Sequence, residues 1–147
     1  MQKHQFSSTI NASKERVWEM LWGKETYPAW TSAFAEGSTA QTDNWKKGSK
    51  VLFHDGKGSG MVAIIEDNRP NEFMSFKHIG MVNDGVEDTE SDKVKAWAGA
   101  HEDYTLKEEN GQTLLTVDID ISQEWVEYFE KTWPLALQKL KELSENK

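Results

Sequence analysis

The stretch from Lys50 to Ile121 limits the fold more than any other part of this chain, because it alternates as strands joined mostly by turns too short to hold a crossover helix. Lys47-Gly48 precedes KVLFHD, and Gly56-Lys57-Gly58-Ser59-Gly60 separates that run from MVAIIED. Asn68-Arg69-Pro70-Asn71 leads into EFMSFKHIGM, and Asn110-Gly111 joins HEDYTLKE to TLLTVDIDI. Asn-Gly between two alternating runs signals a two-residue hairpin, since both residues tolerate left-handed backbone. Parallel neighbours need connections of a dozen or more residues, so short turns specify an antiparallel sheet. The acidic stretch 83–93, NDGVEDTESDK, reads as a solvated loop.

The last strand places Leu115, Val117, Ile119 and Ile121 on one face and Asp118 and Asp120 on the other. Such an apolar face must be covered. Ser122 begins the only element long enough to cover it, a helix with Val126, Phe129 and Trp133 at i, i+3 and i+7 and Leu137 and Leu140 continuing the face. Pro134 predicts a kink there, or two helices with the second over about Trp133 to Ser144. At the other end, HQFSSTI alternates as a strand with His4, Phe6, Ser8 and Ile10 on one side. Ser13 then caps a helix of about ten residues ending near Gly23. Tyr27-Pro28 restarts a short turn or helix carrying Trp30. The fold class is therefore α+β, in a single domain over 1–147.

Composition removes several functions. Without cysteine there are no disulfides, thiolate metal sites or cysteine nucleophiles. A net charge of −8 with only two arginines, Arg16 and Arg69, argues against nucleic acid and anionic membranes as partners. The amino terminus lacks the apolar run of a signal peptide and no segment has the length of a membrane span, so a cytoplasmic location is expected. The four histidines His4, His54, His78 and His101 are not paired at i, i+2 or i, i+4, so no metal is expected, and no cofactor either. Gly56, Gly58 and Gly60 precede a strand rather than a helix, and so form a turn instead of a phosphate cradle. No Gly-x-Ser-x-Gly elbow is present, and no catalytic residue is assigned from local motifs.

Four segments together resemble one known family. They are SSTINASKERVWEML, YPAWTSAF, the run WKKGSKVLF with the later IIEDNRPNEFMSF, and TWPLALQKLKELSE. In this order the chain resembles the START-like (SRPBCC, helix-grip) superfamily, and within it the homologues of the activator of heat-shock-protein ATPase. The resemblance implies a curved antiparallel sheet of about six or seven strands wrapped around the long carboxy-terminal helix. It also implies a cavity between sheet and helix that takes a small apolar or aromatic molecule. Two alternatives come with it. One is a cyclase- or hydrolase-like enzyme using the same cavity. The other is an interaction domain regulating a chaperone ATPase in a stress response. Homodimerisation is left open.

Trp appears seven times in a chain modest in Leu, Ile and Val, so large rings must supply much of the core. Trp18, Trp22, Trp125 and Trp133 lie on helices and are expected to pack. Trp30, Phe34 and Trp97 lie in segments that would rim a cavity mouth, and Phe53, Phe76 and Tyr104 would line it. His78 and Glu102 would orient the polar end of a ligand, or act as acid and base in an enzyme. If Tyr104 and Leu106 face inward, the two-residue period turns Glu102 inward as well; if the strand starts only at Asp103, Glu102 sits at a wet rim.

Overall fold

A computed structural model describes residues 1–146. The elements are β1 (Gln2–Ile10), α1 (Lys14–Trp22), α2 (Thr26–Thr31), β2 (Thr39–Gln41), β3 (Lys50–His54), β4 (Gly60–Arg69) and β5 (Phe73–Asn83). They continue with β6 (Val86–Asp88), α3 (Asp92–Lys95), β7 (His101–Glu109), β8 (Gln112–Ile121) and, after a 3-10 turn, α4 (Val126–Glu145). All pairings are antiparallel, in the order β1-β8-β7-β5-β4-β3-β2, with β6 added to β5. The sheet has eight strands rather than six or seven; the additional ones, β2 and β6, are three residues each.

Local sequence accounts for most of these boundaries. Ser13 Oγ accepts from the Arg16 amide at 3.1 Å and caps α1, which buries Val17, Met20 and Leu21. Asn110 and Gly111 take φ of 55° and 79°, the left-handed pair of a tight hairpin. Asp55 Oδ1 accepts from the amides of Lys57 and Ser59, closing the glycine-rich turn between β3 and β4. Arg16 donates to the carbonyls of Leu143, Ser144 and Asn146, tying α1 to the end of α4 with a cation at its negative pole.

Two expectations fail for identifiable reasons. Pro134 does not divide the closing helix: α4 runs unbroken for 20 residues. Pro134 and Glu130, whose carbonyl loses its helical partner, both lie on the exposed face, where water can satisfy that carbonyl. The stretch 83–93 is not simply loop. Asp84 and Gly85, with φ of 50° and 79°, form a two-residue turn that folds β6 back on β5. Ser91 then caps α3, which buries Val94.

The sheet bends through two irregularities between β4 and β5. Val62 pairs with Gly80 and Ala63 with His78, leaving Ile79 as an extra residue; Ile65 pairs with Phe76 and Asp67 with Ser75, leaving Glu66. Bulges of this kind bend a strand and re-aim its side chains. The concave face receives α1, α2 and α4 around a core that includes Leu115, Val117, Ile119, Ile121, Trp133, Leu137 and Leu140.

Candidate functional site

The concave face carries an aromatic cluster where α1, α2 and β3 meet β5 and β7. Trp22 lies 4.9 Å from Tyr104 and 5.4 Å from Phe76, centroid to centroid, and meets both edge-on. Phe53 meets Phe76 at 5.1 Å and His78 at 5.9 Å. Trp45, on the loop before β3, covers Trp22 at 5.4 Å and holds φ of 58°, a left-handed conformation unusual for so large a residue. Edge-to-face pairs add about 0.5–1.5 kcal/mol each beyond burial, so this cluster is also a structural asset.

The polar groups sit at its margin. On β5 and β7, Phe76 pairs with Glu102 and Met74 with Tyr104, so His78 and Glu102 are diagonal neighbours on the inner face. His78 Nε2 lies 3.0 Å from Glu102 Oε1, and the Tyr104 hydroxyl donates to Glu102 Oε2. Their side chains are nearly buried, His78 at 10% and Glu102 at 16% exposure. Of the two placements open for Glu102, the inward one is observed: β7 begins at His101. Burial first, and the Glu102 charge second, push the Tyr104 phenol well above its ordinary range, and the same two causes act on Tyr27. Both phenols therefore stay protonated donors at neutral pH. With Nε2 committed to Glu102, His78 Nδ1 is buried without a partner. A ring oriented by a carboxylate, with its other nitrogen free, can hold a ligand's polar end or move a proton.

The other residues singled out in the sequence divide. Trp30, expected at a mouth, is 1% exposed, and its Nε1 donates to the Leu21 carbonyl at 3.0 Å. It locks α2 to α1 and touches Tyr104 and Trp133 from below. Phe34 packs on Phe129 and Trp133 of α4. Trp97 stands apart on the turn after α3, half-buried and outside every aromatic pair among the described residues. Trp22 and Trp133 pack as expected, yet they also border the candidate site, and Trp45 and Tyr27 join it without a periodic signal. Trp125, expected to pack, is 52% exposed.

The space between sheet and helix is occupied by these rings. Two clefts are prominent, and neither is lined by α4. One of about 830 Å³ lies at the β7–β8 hairpin, bordered by Lys14, Arg69, Glu72, Phe73, Glu108 and Leu114. The other, about 210 Å³, is bordered by Ala35, Ser38, Phe53, His54, Asp55 and Gly60. Phe53 thus faces this cleft and also touches Phe76 and His78, so it separates the outside from the polar margin. Among the described residues no group of acidic and histidine side chains is arranged to hold a metal ion, and no helix is long and apolar enough to cross a membrane.

Comparison with known proteins fits this architecture. The sequence profile of the activator of Hsp90 ATPase homolog 1-like proteins matches residues 11–145. No curated protein sequence matches the chain. The solution structure of the Aha1 dimer from Colwellia psychrerythraea has 17% identity and a TM-score of 0.73, covering 99% of this chain and 98% of its own. A crystal structure of a protein from Mesorhizobium loti gives 14% and 0.73, covering 97% and 96%. CalU16 from Micromonospora echinospora gives 15% and 0.67, covering 98% and 76%.

Proposed function

This chain belongs to the family of activator of Hsp90 ATPase homolog 1-like proteins, and from that premise we propose that it binds a small, largely aromatic molecule carrying one polar end. The observation that carries the reading is the set of unpaired polar atoms around the rings: His78 Nδ1, Trp22 Nε1 and Trp133 Nε1 are buried without hydrogen-bond partners. Buried polar atoms are nearly always paired, and exceptions mark strain, a functional role or an absent partner. The proposed guest enters at the 210 Å³ cleft by displacing Phe53, stacks among Phe53, Phe76, Trp22 and Tyr104, and presents its polar end to His78 and Glu102. Trp30 and Phe34 support this surface from beneath, and Trp97 has no part in it.

Titration with 2-naphthol and with naphthalene, read by quenching of tryptophan fluorescence, tests the reading. Saturable binding of both is expected, with His78→Ala weakening 2-naphthol about tenfold and naphthalene little, the loss of one hydrogen bond to a charged or polar partner. No saturable quenching by either probe refutes it.

Acid–base catalysis is the second reading, favoured by the Glu102-oriented imidazole. It requires a substrate whose turnover is lost in Glu102→Gln. The chaperone-ATPase role rests on the family's description alone. The dimeric relative supports self-association of this chain, without indicating a surface.

A further inference from the structure

The closing helix has a second apolar stripe that the fold leaves uncovered. Tyr128 and Leu135, seven residues apart and so on one stripe, are 40% and 56% exposed, and Trp125 lies one turn before Tyr128 at 52%. Trp125 and Tyr128 meet edge-on at 6.1 Å, and the Tyr128 hydroxyl donates to the Phe34 carbonyl at 2.8 Å, which fixes its ring at the surface. Charge along the same exposed side is divided. Glu124, Glu127 and Glu130 occupy the first half, Lys131 and Lys139 follow, and Glu142, which accepts from Gln138, lies beyond them near the end of the helix. None of the six forms an ion pair within the chain among the described residues.

We propose that this face is where two copies of the chain meet, α4 against α4, antiparallel about a twofold axis near Lys131. The inference rests on the self-association reading above and adds the surface to it. An isologous contact brings each residue against its opposite number in both directions. Setting Tyr128 against Leu135 of the second copy places Glu124 against Lys139 at both ends. The same register closes two aromatic–aliphatic contacts and two opposite-charge contacts at once. A parallel arrangement would instead set acid against acid. Near the axis each Lys131 has Glu127 four residues back on its own helix, a spacing that allows the two to pair although they do not pair in the single chain. A chain with a net charge of −8 repels its own copy, so any self-contact must supply such local compensation, and this stripe does.

Sedimentation velocity on the full chain, from about 5 to 500 µM and at low and high salt, tests the proposal. The wild type is expected to show a monomer–dimer equilibrium that weakens with salt. Leu135→Lys should raise the dissociation constant at least about tenfold. Lys139→Glu should raise it less, and the exchange Glu124→Lys with Lys139→Glu should restore it to within about threefold of wild type. These positions are exposed, so thermal melts should show all variants folded. A wild type that stays monomeric throughout removes self-association altogether. A dimer indifferent to Leu135→Lys and Lys139→Glu keeps self-association and removes this surface.

Discussion

Replacing Glu102 tests whether the polar margin is a coupled unit. Its carboxylate accepts from His78 Nε2 at 3.0 Å and from the Tyr104 hydroxyl, and its side chain is 16% exposed. Glu102→Leu strands both donors in an interior where Tyr104 is 2% exposed and His78 8%. Hydrogen bonds to a charged acceptor contribute about 1.5–3 kcal/mol each, and breaking a buried pair by removing one partner costs about 3–5 kcal/mol. The two figures describe overlapping losses, so about 3–5 kcal/mol is expected. That is a large share of the roughly 5–15 kcal/mol available to a domain. At an m-value near 2 kcal/mol/M, the urea midpoint should fall by about 2 M. Glu102→Gln keeps one acceptor oxygen but turns an amide NH₂ toward the second donor, so about 1.5–3 kcal/mol should be lost. Urea unfolding followed by circular dichroism measures both. A Glu102→Leu midpoint at or above wild type would mean that the carboxylate is hydrated rather than committed to its two neighbours, and the dyad would have no basis.

Two further perturbations probe the scaffold. Burial raises the Asp103 pKa above its ordinary value, against the bond it accepts from Ser75 Oγ at 2.5 Å. A raised folded-state value means the native protein holds that proton more tightly than the unfolded chain. The penalty is absent below the ordinary carboxylate value of about 3.9 and complete above the folded value. Asp103→Asn, which can still accept from Ser75, should therefore raise the melting temperature at pH 7, with the gain narrowing as pH falls toward that value; a lower melting temperature at pH 7 would contradict this. Pro134→Ala should restore the amide donor to the Glu130 carbonyl. Proline is about 3 kcal/mol worse than alanine inside a helix but restrains the unfolded chain by about 0.4–1 kcal/mol, so a net gain near 2 kcal/mol is expected, or about 4–8 °C by calorimetry. An unchanged melting temperature would mean that α4 already compensates for the missing bond.

Much of the fold was legible because its signals are local. The period of β8, the Asn110-Gly111 turn and the Ser13 cap each fix their geometry within a few residues, and each stands as read. The Asp84-Gly85 turn carried an equally local signal, but its acidic neighbours drew the reading toward loop. Pro134 leaves α4 undivided for a different reason: the effect of a missing hydrogen bond depends on which face of the helix holds it, and that is decided by tertiary packing. Strand period indicates the inward placement of His78 and Tyr104 but leaves Glu102 open until β7 is seen to begin at His101, and the contacts among the three depend on the register of β5 against β7, which no single strand encodes. Trp45 lies on an irregular segment and Tyr27 on a helix of only six residues, too short for periodicity to assign a face to either. Trp97 shows the converse: an aromatic ring near a loop is brought to a site only if the loop folds over it, and α3 carries this one elsewhere.

The rings raise a last physical question, since they fill the interior and yet leave polar atoms stranded in it. A core built only for density would favour phenylalanine or leucine at Trp22 and Trp133, because an indole N–H buried without an acceptor forfeits about 1–3 kcal/mol. Trp30 shows that this fold can satisfy an indole when packing is its role: its Nε1 reaches the Leu21 carbonyl. Trp22 and Trp133 border the same cluster and find no such partner. His78 Nδ1 and Trp22 Nε1 lie on rings that meet Phe53 or Phe76 near the smaller cleft, whereas Trp133 reaches the same cluster only through Tyr104. Packing accounts for the apolar parts of these side chains, and their unpaired nitrogens are what the proposed guest would have to satisfy.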